Sequence, residues 1–208
     1  MNINTQKYFD DYKKFLDQSL NTIDFKKGLK SLWFENNNFI MFYFQTGSKI
    51  DYGNALKYKT FSNFHPTNLP CDILGDDYKN IYAKSSEHIY QAAKFTNNKS
   101  YATKILKCYT PHLAAKLGRD KSIPGYDKNW EIKKFDIMVS IIQVKYKFCQ
   151  EFREELLSSG TKILIENTNL SSNKDAVWGC GKDGRGQNYL GLALMIVRDL
   201  YSQMEKNQ

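Results

Sequence analysis

Apolar and polar positions alternate differently in the two ends of this chain. Tyr8, Phe9, Tyr12, Phe15, Leu16 and Leu20 recur at three- and four-residue spacing, which predicts an amphipathic helix over residues 5–20. Such a helix could pack on the body of the protein, cap a groove or bind a partner, and packing is the ordinary use. Two β-rich runs, Ser31–Phe34 and Phe39–Gln45, flank the polar turn Glu35–Asn38 and predict a hairpin. The polar stretch 47–54 then marks a boundary, so residues 1–50 read as a helix–hairpin extension and 51–208 as the main domain.

From Ser85 onward the period is helical. Ser85 or Ser86 is the expected N-cap of a helix through Phe95, and Asn97–Ser100 breaks it before a second helix to about Cys108. Pro111 opens a third, which ends near Gly118. Pro124 and Gly125 form a loop, and Trp130 begins a long amphipathic helix that the pattern carries as far as Phe152. Ile163–Glu166 predicts a short strand, and Leu190–Tyr201 a terminal helix. Together these elements predict an α+β fold, mostly helical, in a single domain.

Bulk properties narrow the partners. Aromatic residues make up 14% of the chain, too many for a disordered polymer. No window approaches the roughly eighteen apolar residues of a membrane span, and Lys7, Asp10, Asp11, Lys13, Lys14 and Asp17 interrupt any signal-like core at the start. A cytoplasmic protein with no membrane partner is expected. The cysteines Cys71, Cys108, Cys149 and Cys180 form no CxxC pair, and His65, His88 and His112 add no ligand spacing, so no metal is called for and reduced thiols are expected. The net charge is +8, and the whole excess falls between Lys84 and Lys147, where thirteen Lys or Arg face five Asp or Glu. That distribution suits a phosphorylated ligand or nucleic acid, set against the plain alternative of a solvated lysine surface.

Three places carry side chains fit for chemistry. On a helix, Glu87, Gln91 and Lys94 share a face through i, i+4 and i+7 spacing; Glu87 also suits the first turn, where the dipole favours an acid. Asn63 sits between aromatics in Phe61–His65, and Trp130 is either core or a stacking platform. Asp175 through Gly181 compresses an acid, Trp178 and glycines before Gly184, Gly186, Asn188 and Gly191. Such a loop could wrap a ligand with its N–H groups. Gly179-x-Gly181-x-x-Gly184 also matches a dinucleotide motif, but no second strand can follow within the remaining residues, so a Rossmann unit is rejected.

In chain order, the segments Phe61-Ser62-Asn63-Phe64, Ser86-Glu87-His88 with Gln91, Lys94 and Phe95, Ala114–Arg119, Asn129-Trp130, Val144–Phe148, Asp175-x-x-Trp178-Gly179-x-Gly181 and Gly186-x-Asn188-x-Leu190-Gly191 to Arg198 resemble the NADAR superfamily, also called YbiA-like. The resemblance covers residues 58–203 and implies hydrolysis of an N-glycosidic bond to ribose with no cofactor. It places the family's acids on Glu87 and Asp175 and its stacking indole on Trp130. Lys94 and Arg119 would hold phosphate; Asn63, Gln91, Trp178, Gly179 and Asn188 would line the substrate. One branch cleaves small phosphorylated N-ribosides of riboflavin biosynthesis; another removes ADP-ribose from guanine in nucleic acid. A non-catalytic ADP-ribose or nucleotide binder is the rival from another class. Lys84 stands where relatives often carry an aromatic–proline pair, which puts the substrate in doubt more than the chemistry. The extension at residues 1–50 has no identified protein partner.

Overall fold

A computed structural model of the chain describes residues 4–44 and 57–206. The polar stretch 47–54 lies outside the described residues. Its elements run α1 (Thr5–Ser19), α2 (Ile23–Gly28), β1 (Trp33–Glu35), β2 (Phe39–Phe42), β3 (Leu69–Pro70), β4 (Tyr82–Ala83), α3 (Ser86–Ala92), α4 (Lys99–Lys107), α5 (Pro111–Gly118), α6 (Trp130–Phe148), α7 (Gln150–Ser158), β5 (Ile163–Glu166) and α8 (Tyr189–Lys206). The expected α+β, mostly helical character holds. The chain divides into two units, Met1–Ser62 with Glu154–Gln208, and Asn63–Arg153.

In the first unit the predicted hairpin forms: β1 and β2 pair antiparallel, with Phe34 opposite Met41. β2 also pairs in parallel with β5, Phe39 opposite Ile163, so residues 1–50 supply the central strand of the sheet. All four β2 side chains are buried, which is why Phe-Ile-Met-Phe shows no alternation. Phe15, Phe25, Phe34 and Phe39 interlock on this sheet with centroids 5.5–6.2 Å apart. α1 is anchored against α8 by Phe9 on Tyr189 and by the Tyr8 hydroxyl donating to Asp199 at 3.1 Å. The helix α2, which the apolar pattern did not reveal, is too short for periodicity; Thr22 caps it by accepting from the Phe25 N–H at 3.2 Å.

In the second unit α4, α5 and α6 pack around α3, every residue of which is buried. Asn98 and Thr110 accept from the backbone of Tyr101 and Leu113 and so start α4 and α5. Ser85 occupies the N-cap position of α3, but its hydroxyl pairs with His88 Nδ1 at 2.8 Å instead of with the backbone. α3 tightens into a 3-10 turn over Ala93–Phe95. The long helix expected through Phe152 is two helices. Cys149 adopts extended dihedrals between α6 and α7, and the Arg153 guanidinium donates to the Tyr146 and Lys147 carbonyls at the end of α6. An apolar pattern reads a face, and Phe152 continues that face across the break.

Candidate active site

The Asn63–Arg153 unit gathers most of the residues singled out from the sequence. On α3, Gln91 Nε2 donates to Glu87 Oε1 at 2.7 Å, and Lys94 Nζ donates to Gln91 Oε1 at 2.6 Å. An ammonium offers only donors, so the Gln91 carbonyl must face Lys94 and its NH₂ must face Glu87. Lys94 also donates to the Gly118 carbonyl at 3.2 Å, where α5 ends. Gly118 is a close-approach point, since a Cβ there would lie 2.0 Å from Gln91 Oε1.

Two aromatic rings wall this ladder. Lys94 Nζ lies 5.2 Å from the Tyr90 ring centroid and 5.5 Å from that of Trp130, and the rings meet edge to face at 5.0 Å. Trp130 is 3% exposed, so it is core, and its ring flanks the polar row. Tyr90 was not singled out from the sequence; its i, i+4 relation to Lys94 was the available signal.

Burial pushes the Lys94 ammonium down to about 8, with Arg119 and Lys121 adding to the depression and Glu87 and Glu131 opposing it. Lys94 is 8% exposed and keeps its charge near neutral pH through these carboxylates and the rings. Arg119 follows Gly118 at the exposed C-cap of α5, and its guanidinium has no hydrogen-bond or ion-pair partner among the described residues. Asn63 adjoins the ladder through its carbonyl, which accepts the Glu87 N–H at 3.0 Å. Its Nδ2 touches Met138 Sδ at 3.4 Å, while its Oδ1 is buried without a partner, as is Ser86 Oγ. An orphaned buried acceptor costs about 1–3 kcal/mol, which a donor brought to Asn63 Oδ1 would relieve.

Asp175, Trp178, Gly179 and Asn188 belong to the other unit, where they follow β5. Asp175 Oδ1 accepts from the N–H groups of Val177 and Trp178 at 2.8 and 2.9 Å, and Oδ2 has no partner among the described residues. Several N–H groups of this loop are bonded within it and to the end of β5. Cys180, Gly186, Gln187 and Asn188 donate to the carbonyls of Glu166, Cys180, Ala176 and Gly179. Gly181 donates to the Asp175 carbonyl and to Thr168 Oγ1, and adopts φ +69°. Gly179 is where the loop presses on the strand end, with a Cβ there only 2.3 Å from Thr168 Cγ2.

Asn188 is fully buried at φ +55°, its Oδ1 accepts the Glu166 N–H at 3.0 Å, and its Nδ2 donates to the Leu164 carbonyl at 2.8 Å. It completes the open side of β5 and joins that strand to α8. The Trp178 ring meets Tyr189 edge to face at 5.8 Å.

Among the described residues no group of three His, Cys, Asp or Glu side chains gathers to hold a metal ion, and no helix is long and apolar enough to cross a membrane.

The NADAR domain family matches residues 43–201. N-glycosidase YbiA of Escherichia coli K12 is 36% identical over 148 residues, covering 71% of this chain and 84% of that protein. An N-glycosidase of Nostoc punctiforme, Npun_R5314, is 37% identical over 144 residues, 68% of this chain and 85% of its own length. The maize riboflavin biosynthesis protein PYRR is 33% identical over 146 residues, which are 66% of this chain but 22% of that longer protein. An NMR structure of E. coli YbiA superimposes with a TM-score of 0.64 at 31% identity, covering 81% of this chain and 88% of that one.

Proposed function

The chain belongs to the NADAR family and is an N-glycosidase, and on that premise we propose that it hydrolyses the C1′–N bond of a small phosphorylated N-riboside of the riboflavin-intermediate type. The observation that carries the proposal is the buried row of Glu87, Gln91 and Lys94 beside Trp130 and Tyr90. It puts a carboxylate, a cation and two flat walls within one unit, which is what an N-riboside with a planar leaving group and a phosphate calls for.

Water adds its oxygen to C1′ as the C1′–N pair leaves with the nitrogen. The attacking water loses one proton and the departing nitrogen gains one, giving ribose 5-phosphate and the free aminopyrimidine. Positive charge builds on the ribose ring in between, and an anionic carboxylate stabilises it or accepts the water's proton. In the proposal Glu87 or Asp175, the two acids that the family resemblance implies, serves water and C1′. Trp130 stacks the leaving base, Lys94 and Arg119 take the phosphate, and the open Oδ1 of Asn63 accepts a ribose hydroxyl or an amino group of the base.

A second reading has ADP-ribose on guanine in nucleic acid as substrate, favoured by the basic excess between Lys84 and Lys147. Of that excess, Lys99 pairs with Asp77 outside the segment. The similarity to a protein named for riboflavin biosynthesis favours the small substrate. The two readings separate when the purified chain is offered the ribosylaminopyrimidine 5′-phosphate and, in parallel, a guanine-ADP-ribosylated oligonucleotide. Release of ribose 5-phosphate alone is the expected result. Release of ADP-ribose alone would replace the substrate, and silence in both would refute both.

A further inference from the structure

We propose that Gln91 is a positioning residue that holds Glu87 and Lys94 apart in fixed order, with Gly118 as its seat; this rests on the reading that Glu87 serves the hydrolysis. A substrate-lining part for Gln91 follows from the family resemblance, but its side chain is already engaged at both ends. The amide N–H goes to Glu87 and the carbonyl to Lys94, at 2.7 and 2.6 Å, in a residue 5% exposed.

Residues 87 and 94 stand two helical turns apart, about 10 Å along the axis, a span that the Gln91 side chain fills. The amide between them couples the two charges through hydrogen bonds while preventing Lys94 from covering the carboxylate. An acid that must meet a cationic ribose keeps its charge, yet it is not neutralised by its own lysine.

Gly118 makes the arrangement obligatory. A Cβ at this position would lie 2.0 Å from Gln91 Oε1 and 2.7 Å from Gln91 Cβ, so any side chain there expels the amide. The same residue's carbonyl accepts a hydrogen bond from Lys94 Nζ, which gives the lysine a second anchor besides Gln91. The other charges acting on Lys94 are Arg119 at the end of α5, Lys121 in the loop after it and Glu131 on α6. Gln91 is thus the polar group joining the α3 carboxylate to this set.

Gln91→Met keeps the side-chain length and removes both hydrogen bonds. The test is carbon-13 NMR titration of the Glu87 carboxyl and the Lys94 Cε in the parent and in Gln91→Met, with steady-state kinetics on the ribosylaminopyrimidine 5′-phosphate alongside. A carboxylate that loses a donor titrates higher and an ammonium that loses an acceptor titrates lower, so the two midpoints should move in opposite directions by about one pH unit each. kcat should fall tenfold or more with KM within about twofold. Gln91→Glu places a second carboxylate beside the first, and should move the acidic limb of kcat/KM upward.

Unmoved midpoints in Gln91→Met would overturn the proposal, as would a raised KM at unchanged kcat, the mark of a residue that merely contacts substrate. The titrations need no substrate. A parent chain that fails to turn over the phosphorylated riboside therefore refutes the substrate reading while the positioning role is still decided by the midpoints.

Discussion

The α3 row and the loop after β5 both bury polar side chains, but the row bonds side chain to side chain while the loop bonds side chain to backbone. On α3 and the turn that follows it, Glu87, Gln91 and Lys94 bond to one another, Lys94 also to the Gly118 carbonyl, and Asn63 beside them keeps an unfilled acceptor. In the loop, Asn188 spends its amide on Glu166 and Leu164, Thr168 bonds the Asp175 carbonyl, and the N–H groups return to neighbouring carbonyls. Groups satisfied by backbone build a fold. Groups bonded to each other can be re-aimed by a ligand. The difference teaches that backbone bonds hold much of the most conspicuous glycine cluster of the sequence, while Asp175 keeps one carboxylate oxygen without a partner among the described residues.

That exception offers the sharpest challenge. Asp175→Asn retains the oxygen that caps Val177 and Trp178 and loses only the charge. If Asp175 is the second acid, kcat falls by about 10²–10³ while the melting temperature stays within a few degrees, as read by turnover and calorimetry. An unchanged rate would return the whole loop to architecture.

Next in size is Gly186→Ala. Its Cβ would sit 2.2 Å from the Gly179 carbonyl oxygen and 2.9 Å from that of Ala176, both backbone atoms that cannot step aside. Overpacking of this kind costs about 3 kcal/mol, or roughly 10 °C in melting temperature for a chain of this size, with kcat of the folded protein retained.

Lys94 gives a pH signature. On the phosphorylated substrate, kcat/KM should fall above about pH 8 as the free enzyme's ammonium loses its proton, and Lys94→Arg should remove that limb. Stability moves the other way. Between about 8 and the ordinary 10.5 the unfolded chain carries a proton on this lysine that the folded chain lacks, so this lysine's contribution to unfolding free energy rises with pH across that window. Its buried charge therefore costs the fold about 3 kcal/mol below pH 8, a cost that denaturant midpoints at pH 7 and 10, compared with those of Lys94→Met, would register. The smallest effect is expected of Arg119→Ala: a KM for the phosphorylated riboside raised roughly tenfold, with kcat and melting temperature unchanged.

The fold was legible wherever one face of an element is buried. The periodicity of α1, α6 and α8 and the β1–β2 hairpin is visible in the residues that pack. It failed at Cys149, because Phe152 continues the apolar face while the backbone turns, and the arginine cap that permits the break acts between residues whose pairing no pattern records. It missed β3 and β4, two residues each, which are shorter than any period.

The α3 row was legible because i, i+4, i+7 spacing is helical geometry itself. The parallel partner of β2 was not, since more than a hundred residues separate Phe39 from Ile163. Nor was the task of Asn188: an amide before a helix looks the same whether it faces a sugar or the backbone of a strand.

The most direct measurement is kcat and melting temperature determined together for Glu87→Gln and Asn188→Ala, using ribose 5-phosphate release as the rate. Glu87→Gln should lose two to four orders of magnitude in kcat with little change in melting temperature. Asn188→Ala strands two backbone groups and places alanine at positive φ, so it should lose several degrees and keep kcat where it remains folded. Parent-like turnover in Glu87→Gln, or a folded Asn188→Ala without activity, would contradict the division of labour between the row and the loop.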